Sequence, residues 1–199
     1  MLVSAYGAIN NQLRNNVVSN WGGSYVFQVV NSQYNLFDSN VIASASPLAG
    51  THAAMFLVGG IQPGSFYNNY SRNTIQNIPV TVLFSFQDSD YNQVVENVAK
   101  NTTGVVMSLA GINPPSTSIG YFNVSRNTFE GSGTIPNPPQ AAIYLFSAHH
   151  MNFTYNYLSN YSFDGFYLQY NVSTIEIRNN QLSNVSWWPY AGRARYPVY

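Results

Sequence analysis

The chain has 199 residues, of which seven are basic and seven acidic, so its formal net charge is zero and only 7% of positions carry charge. A neutral surface gives no counterion-release term, which argues against a nucleic-acid partner, and the lack of Cys excludes thiolate metal ligation and disulfides. Sixteen Tyr and twelve Phe raise the aromatic share to 16%, which argues for a packed domain rather than a disordered chain.

No basic start or apolar core opens the chain: Ser4, Asn10, Asn11 and Gln12 follow Met1 almost at once. Export would then require a leader outside this sequence or another route. The longest apolar stretch, near Ala53 to Ile61, is too short to span a bilayer. From about Ile9 onward one local setting recurs around Asn16, Asn40, Asn73, Asn97, Asn127, Asn156 and Asn180. Three residues before each lies an apolar or aromatic side chain (Leu13, Phe37, Tyr70, Val94, Val124, Phe153, Ile177). Two residues after each lies another (Val18, Ile42, Ile75, Ala99, Phe129, Leu158, Leu182). The intervals are 24, 33, 24, 30, 29 and 24 residues. A fixed motif at an elastic period of this size predicts a solenoid with one coil per repeat.

Within a coil, Ile175 to Leu182 alternates like a strand entering and leaving a turn. The repeated Asn is expected at that turn, because its amide offers donor and acceptor to corner backbone groups and tolerates left-handed φ. Stacked at ~4.8 Å, successive Asn side chains are predicted to bond to backbone and to one another, forming a structural ladder. Four residues further on, Asn20, Ser44, Asn77, Asn101, Gly131, Asn160 and Asn184 suit a second corner. The runs Tyr25 to Val30, Val80 to Phe84, Ala142 to Phe146 and Phe166 to Tyr170 read as strands of another wall. Turn residues at 46–50, 59–64, 111–116 and 131–140 account for the longer intervals and predict projecting loops. Trp187 to Tyr199 breaks the pattern and reads as a C-terminal cap or a linker to an adjoining module.

A leucine-rich repeat would want an apolar residue five before the Asn, but that column is Asn11, Asn35, Asn68, Asn92, Phe122, Met151 and Ile175. Patterns such as Asn31-Ser32…Phe37-Asp38-Ser39-Asn40-Val41-Ile42 and Ser125-Arg126-Asn127-Thr128-Phe129 instead resemble the right-handed parallel β-helix repeats of the pectate-lyase-like superfamily and of NosD-type surface proteins. The resemblance implies an all-β fold, a right-handed parallel β-helix over 1–186 with about seven coils, about 34 Å long at ~4.8 Å per coil. The first motif begins close to Met1 with no amphipathic helix before it, so another subunit or module is expected to cover the first coil.

Enzymes of that superfamily act on acidic polysaccharides through carboxylate-bound Ca²⁺ and an Arg base, or through clustered Asp residues. Here only Asp88 and Asp90 form a close acidic pair. On an extended segment they would face the same side and serve as acid and base or bind a cation; a solvated turn is the plainer reading. The polygalacturonase motifs do not occur, so no catalytic residue is carried over. His149 and His150 precede Met151, but adjacent strand residues point to opposite faces, so a shared metal is not expected. No metal and no cofactor are predicted. Trp187 and Trp188 lie outside the inward columns and are candidates for glycan contact, against the more ordinary role of a hydrophobic cap.

Seven Asn-x-Ser/Thr sequons, at Asn69, Asn101, Asn123, Asn152, Asn160, Asn171 and Asn184, exceed the number of about four expected by chance. Asn69, Asn123 and Asn152 neighbour the inward column, so alternation should turn them outward. Scarce charge, absent Cys and abundant Tyr and Asn resemble exported proteins of thermoacidophilic archaea and their viruses. The expected function is an extracellular structural or adhesive module of a cell-surface protein, appendage or virus spike, with glycan binding as an added role. A polysaccharide-active lyase or hydrolase is the alternative.

Overall fold

In the computed structural model, the described residues are 3–44, 54–58, 64–111, 118–132, 141–161 and 164–185. They form twenty strands and no helix, and every strand pairing is parallel. Parallel pairs need long crossovers, and the pairings here join residues 23–36 positions apart. The residues before the repeated Asn make one sheet: Leu13, Phe37, Tyr70, Val94, Val124, Phe153 and Ile177 lie side by side in register. Those after it make a second series, with Val18, Ile42, Ile75, Ala99, Phe129, Leu158 and Leu182 in register. The third wall aligns Val3, Phe27, Phe56, Phe84, Met107, Ile143 and Phe166. It joins the second wall through two continuous strands, Thr74–Gln87 and Val98–Ala110. This all-β stack of parallel strands is compatible with a β-solenoid.

The inward columns meet in one core. Phe27, Phe56 and Phe84 stack at 5.0 Å per step, and Phe37 stacks on Tyr70 at 5.1 Å. Across the interior the columns meet edge to face, as Phe37 and Phe56 do at 81°. Both geometries suit the ring quadrupole and add about 0.5–1.5 kcal/mol per pair to the burial term. Burying each Phe contributes roughly 2–3 kcal/mol. Tyr70 lies in the same column but carries a hydroxyl that finds no hydrogen-bond partner among the described residues.

Corners come in four columns of left-handed residues, and here the structure differs from the sequence expectation. The repeated Asn itself is not left-handed; the residue before it is: Asn15, Ser39, Arg72, Glu96, Arg126, Tyr155 and Asn179, with φ from 52 to 58°. The task of turning the chain from one wall to the next thus falls one position earlier, and the Asn amide points along the stack. The second corner is left-handed at Asn20, Ser44, Asn77, Asn101, Asn160 and Asn184, but Gly131 in that column is not. The projecting loops expected from the turn residues lie mostly outside the described residues, as does the tail from 186 onward.

Candidate functional site

The buried polar groups are organised along the stack. From Asn16 through Asn40, Asn73, Asn97, Asn127 and Asn156 to Asn180, the Nδ2 of each donates to Oδ1 of the next at 2.9–3.0 Å. The same Oδ1 accepts the preceding Asn backbone N–H at 2.8–3.1 Å. Nδ2 also donates to a main-chain carbonyl, for example Asn97 to Tyr70 at 2.8 Å. Each buried amide is therefore satisfied on all sides, as burial requires.

A second row runs beside it through Asn11, Asn35, Asn68 and Asn92, with Nδ2–Oδ1 distances of 3.0–3.1 Å. This is the column whose polarity argued against a leucine-rich repeat, and its polarity has a structural use. It stops where Phe122 takes the position, and Phe122 joins the apolar core. A third row is made of serines: Ser65 and Ser89 hydroxyl oxygens accept from the backbone of Ser32 and Ser65. Near the first strands of the stack the fully buried Asp38 carboxylate takes Arg72 in a two-point contact at 2.8 Å, Arg14 at 3.2 Å and the Ser71 hydroxyl at 2.9 Å. Hydrogen bonding from Arg72 holds its pKa down at about 2.

An exposed aromatic row follows another corner. Tyr34, Tyr67, Tyr91, Tyr121 and His150, all with left-handed φ, stack at 5.0, 4.8, 4.6 and 4.8 Å with planes within 14°. The inner rings cover one another's faces and offer only their edges to solvent. Sugar stacking needs a free face, so this row is poorly suited to it.

Where this row ends, several polar groups converge. Asp88 is nearly buried and left-handed at φ 45°, so the Asp88–Asp90 segment is bent rather than extended, and the alternation argument for a shared face does not hold. Asp90 Oδ1 accepts the Gly120 N–H at 2.6 Å. Burial pushes the Asp90 pKa up, against the opposing effects of that bond and of His149 nearby. Ser118 Oγ lies 3.2 Å from His149 Nε2, and Nδ1 of His149 lies 3.0 Å from Nδ1 of His150. The expected divergence of the two imidazoles is thus corrected: His150 has φ 49°, and a left-handed residue swings its side chain back beside its neighbour. Gly120 is required beside them, because a Cβ there would overlap the His149 ring.

The sequons fall into the repeat columns. Asn69, Asn123 and Asn152 share one column, half-buried, and Oδ1 of Asn69 and of Asn152 is enclosed without a partner among the described residues. Asn101, Asn160 and Asn184 occupy the second corner, where Asn101 donates to Asn77 and Asn184 to Asn160, each at 2.9 Å. Asn171 is left-handed at another corner. Much of the sequon excess therefore restates the repeat. Trp187 and Trp188 lie outside the described residues.

No protein-family model, no curated protein and no solved structure matches the chain. No helix among the described residues is long and apolar enough to cross a membrane.

Proposed function

We propose that the chain is a right-handed parallel β-helix of about seven coils that serves as a rigid extracellular structural or adhesive module of a cell-surface protein, appendage or virus spike. The observation that carries this reading is the unbroken Asn16-to-Asn180 series of side-chain bonds along the whole stack. It commits the largest set of buried polar side chains to holding a shape. With 7% charged residues, such a body changes charge little between neutral and acidic surroundings, which suits exposure outside the cell. A partner subunit or module on the first coil is supported by a shallow opening there, lined by Val3, Leu13, Val17 and Val18 together with Gln12, Arg14 and Asn16. Glycan contact at Trp187 and Trp188 and glycosylation at the seven sequons are further parts of this proposal.

The test is surface localisation in the native source. An antibody against the chain should label intact cells or particles, and mass spectrometry of released material should find sugar on at least one of Asn69, Asn123 and Asn152. Recovery of the chain only from the soluble cell interior would sink the reading. The polysaccharide-active alternative keeps Asp88 and Asp90, the close acidic pair, as its candidate acid and base. Turnover of a polyuronide panel, lost in Asp90→Asn with the fold retained, would favour it.

A further inference from the structure

We propose that His149 and His150 form a two-imidazole binding site for a divalent transition-metal ion. The geometry is preset by the backbone. The left-handed φ of His150 brings neighbouring imidazoles together with their Nδ1 atoms 3.0 Å apart. Two nitrogens at that separation, each at ~2.0–2.1 Å from one ion, subtend about 91–97°, near the right angle of cis positions in tetragonal or octahedral coordination. A tetrahedral site would hold them further apart. Without metal, the same contact is an N–H···N hydrogen bond in which one imidazole donates.

The surroundings fix both rings. His150 lies flat against Tyr121 at 4.8 Å and 13°, and His149 meets the same ring edge-on at 5.2 Å and 86°. Ser118 Oγ sits 3.2 Å from the remaining nitrogen of His149, where it accepts Nε2–H once Nδ1 is committed to the ion. Ligating imidazoles are oriented in this way by an outer partner. Gly120 leaves the space the His149 ring occupies, and the half-buried Asp90 adds a nearby carboxylate that favours positive charge. No three His, Cys, Asp or Glu side chains among the described residues surround one point, so water or another ligand fills the remaining positions. His150 is exposed, which gives the ion an open path.

Cu(II) is the probe, titrated into the intact chain and followed by calorimetry and electron paramagnetic resonance. One equivalent should bind with an axial spectrum, and spin-echo modulation should count two imidazole nitrogens. His149→Gln and His150→Gln should each weaken binding by at least about tenfold, and Ser118→Ala by less, while His52→Gln, at the one other histidine of the sequence, leaves it unchanged. Circular dichroism checks that each variant keeps its β-content, and the wild-type nitrogen count decides the matter even if one does not. A single imidazole in that spectrum, unchanged affinity in the double variant, or loss of binding in His52→Gln would overturn the proposal.

Discussion

Asn97 lies in the middle of the long row and is the most informative place to break it. Its Oδ1 accepts the N–H and the Nδ2 of Asn73 at 3.0 and 2.9 Å, and its Nδ2 donates to Tyr70 O at 2.8 Å and Asn127 Oδ1 at 3.0 Å. In Asn97→Ala some partners keep a second bond: Asn73 Nδ2 retains Phe37 O, and Asn127 Oδ1 retains the residue 97 N–H. The Asn73 backbone N–H loses its Oδ1 acceptor in the interior. One orphaned buried donor costs about 1–3 kcal/mol, and the three other lost bonds about 1 kcal/mol each, so the variant should lose about 4–6 kcal/mol. Asn16→Ala, at the exposed start of the row, removes a single side-chain donation to Asn40 and should cost under about 1 kcal/mol. Urea unfolding of the two variants beside the wild type measures both values. Asn97→Asp adds a sign test. Its carboxylate keeps one acceptor but turns a second oxygen toward Tyr70 O and Asn127 Oδ1. Burial raises the pKa of such an acid, so acidification restores a donor and recovers stability that Asn97→Ala does not regain. A loss below about 0.5 kcal/mol in Asn97→Ala would refute the reasoning.

Three further outcomes follow from particular residues. Tyr70→Phe removes the buried hydroxyl that has no partner among the described residues and keeps the stack on Phe37, so it should raise the thermal midpoint, by about 1 kcal/mol in stability. Asp38 is held at a pKa of about 2, below its unfolded value, so its contribution is complete above about pH 4 and is lost as pH falls toward 2. The shift corresponds to about 2.5 kcal/mol, but Arg14 and Arg72 are half in water, which reduces it to about 1 kcal/mol; Asp38→Asn should flatten the acid limb of a stability–pH curve. Phe37→Ala opens a cavity between two aromatic columns and should cost about 3–5 kcal/mol by denaturant unfolding.

The repeat was legible because seven Asn keep the same apolar flanks, and the structure aligns those flanks in register from Leu13 to Ile177 and from Val18 to Leu182. The Asn11–Asn92 row was present in the same alignment but ends after four members, so it read as a polar column without a purpose. The tyrosine row also sits at a constant offset, at Tyr34, Tyr67, Tyr91 and Tyr121; aligning that column would have found it. The left-handed corner position was not legible, because its occupants, among them Arg72, Glu96 and Tyr155, share no side-chain type. The histidine pair was visible, but its geometry was misread for a related reason. Alternation along a strand predicts divergence, and only the positive φ of His150 undoes it.

Because the chain has no native Cys, a pair of spin labels can measure the stack directly. Val17 and Gln181 are exposed and stand at opposite ends of one register column that passes through Val41, Thr74, Val98, Thr128 and Tyr157. Six steps of ~4.8 Å place them about 29 Å apart. Double electron–electron resonance on Val17→Cys/Gln181→Cys should give one narrow distribution near that separation, broadened only by the label arms. A broad distribution, or a centre displaced by more than the arms allow, would contradict an in-register column of stacked parallel coils.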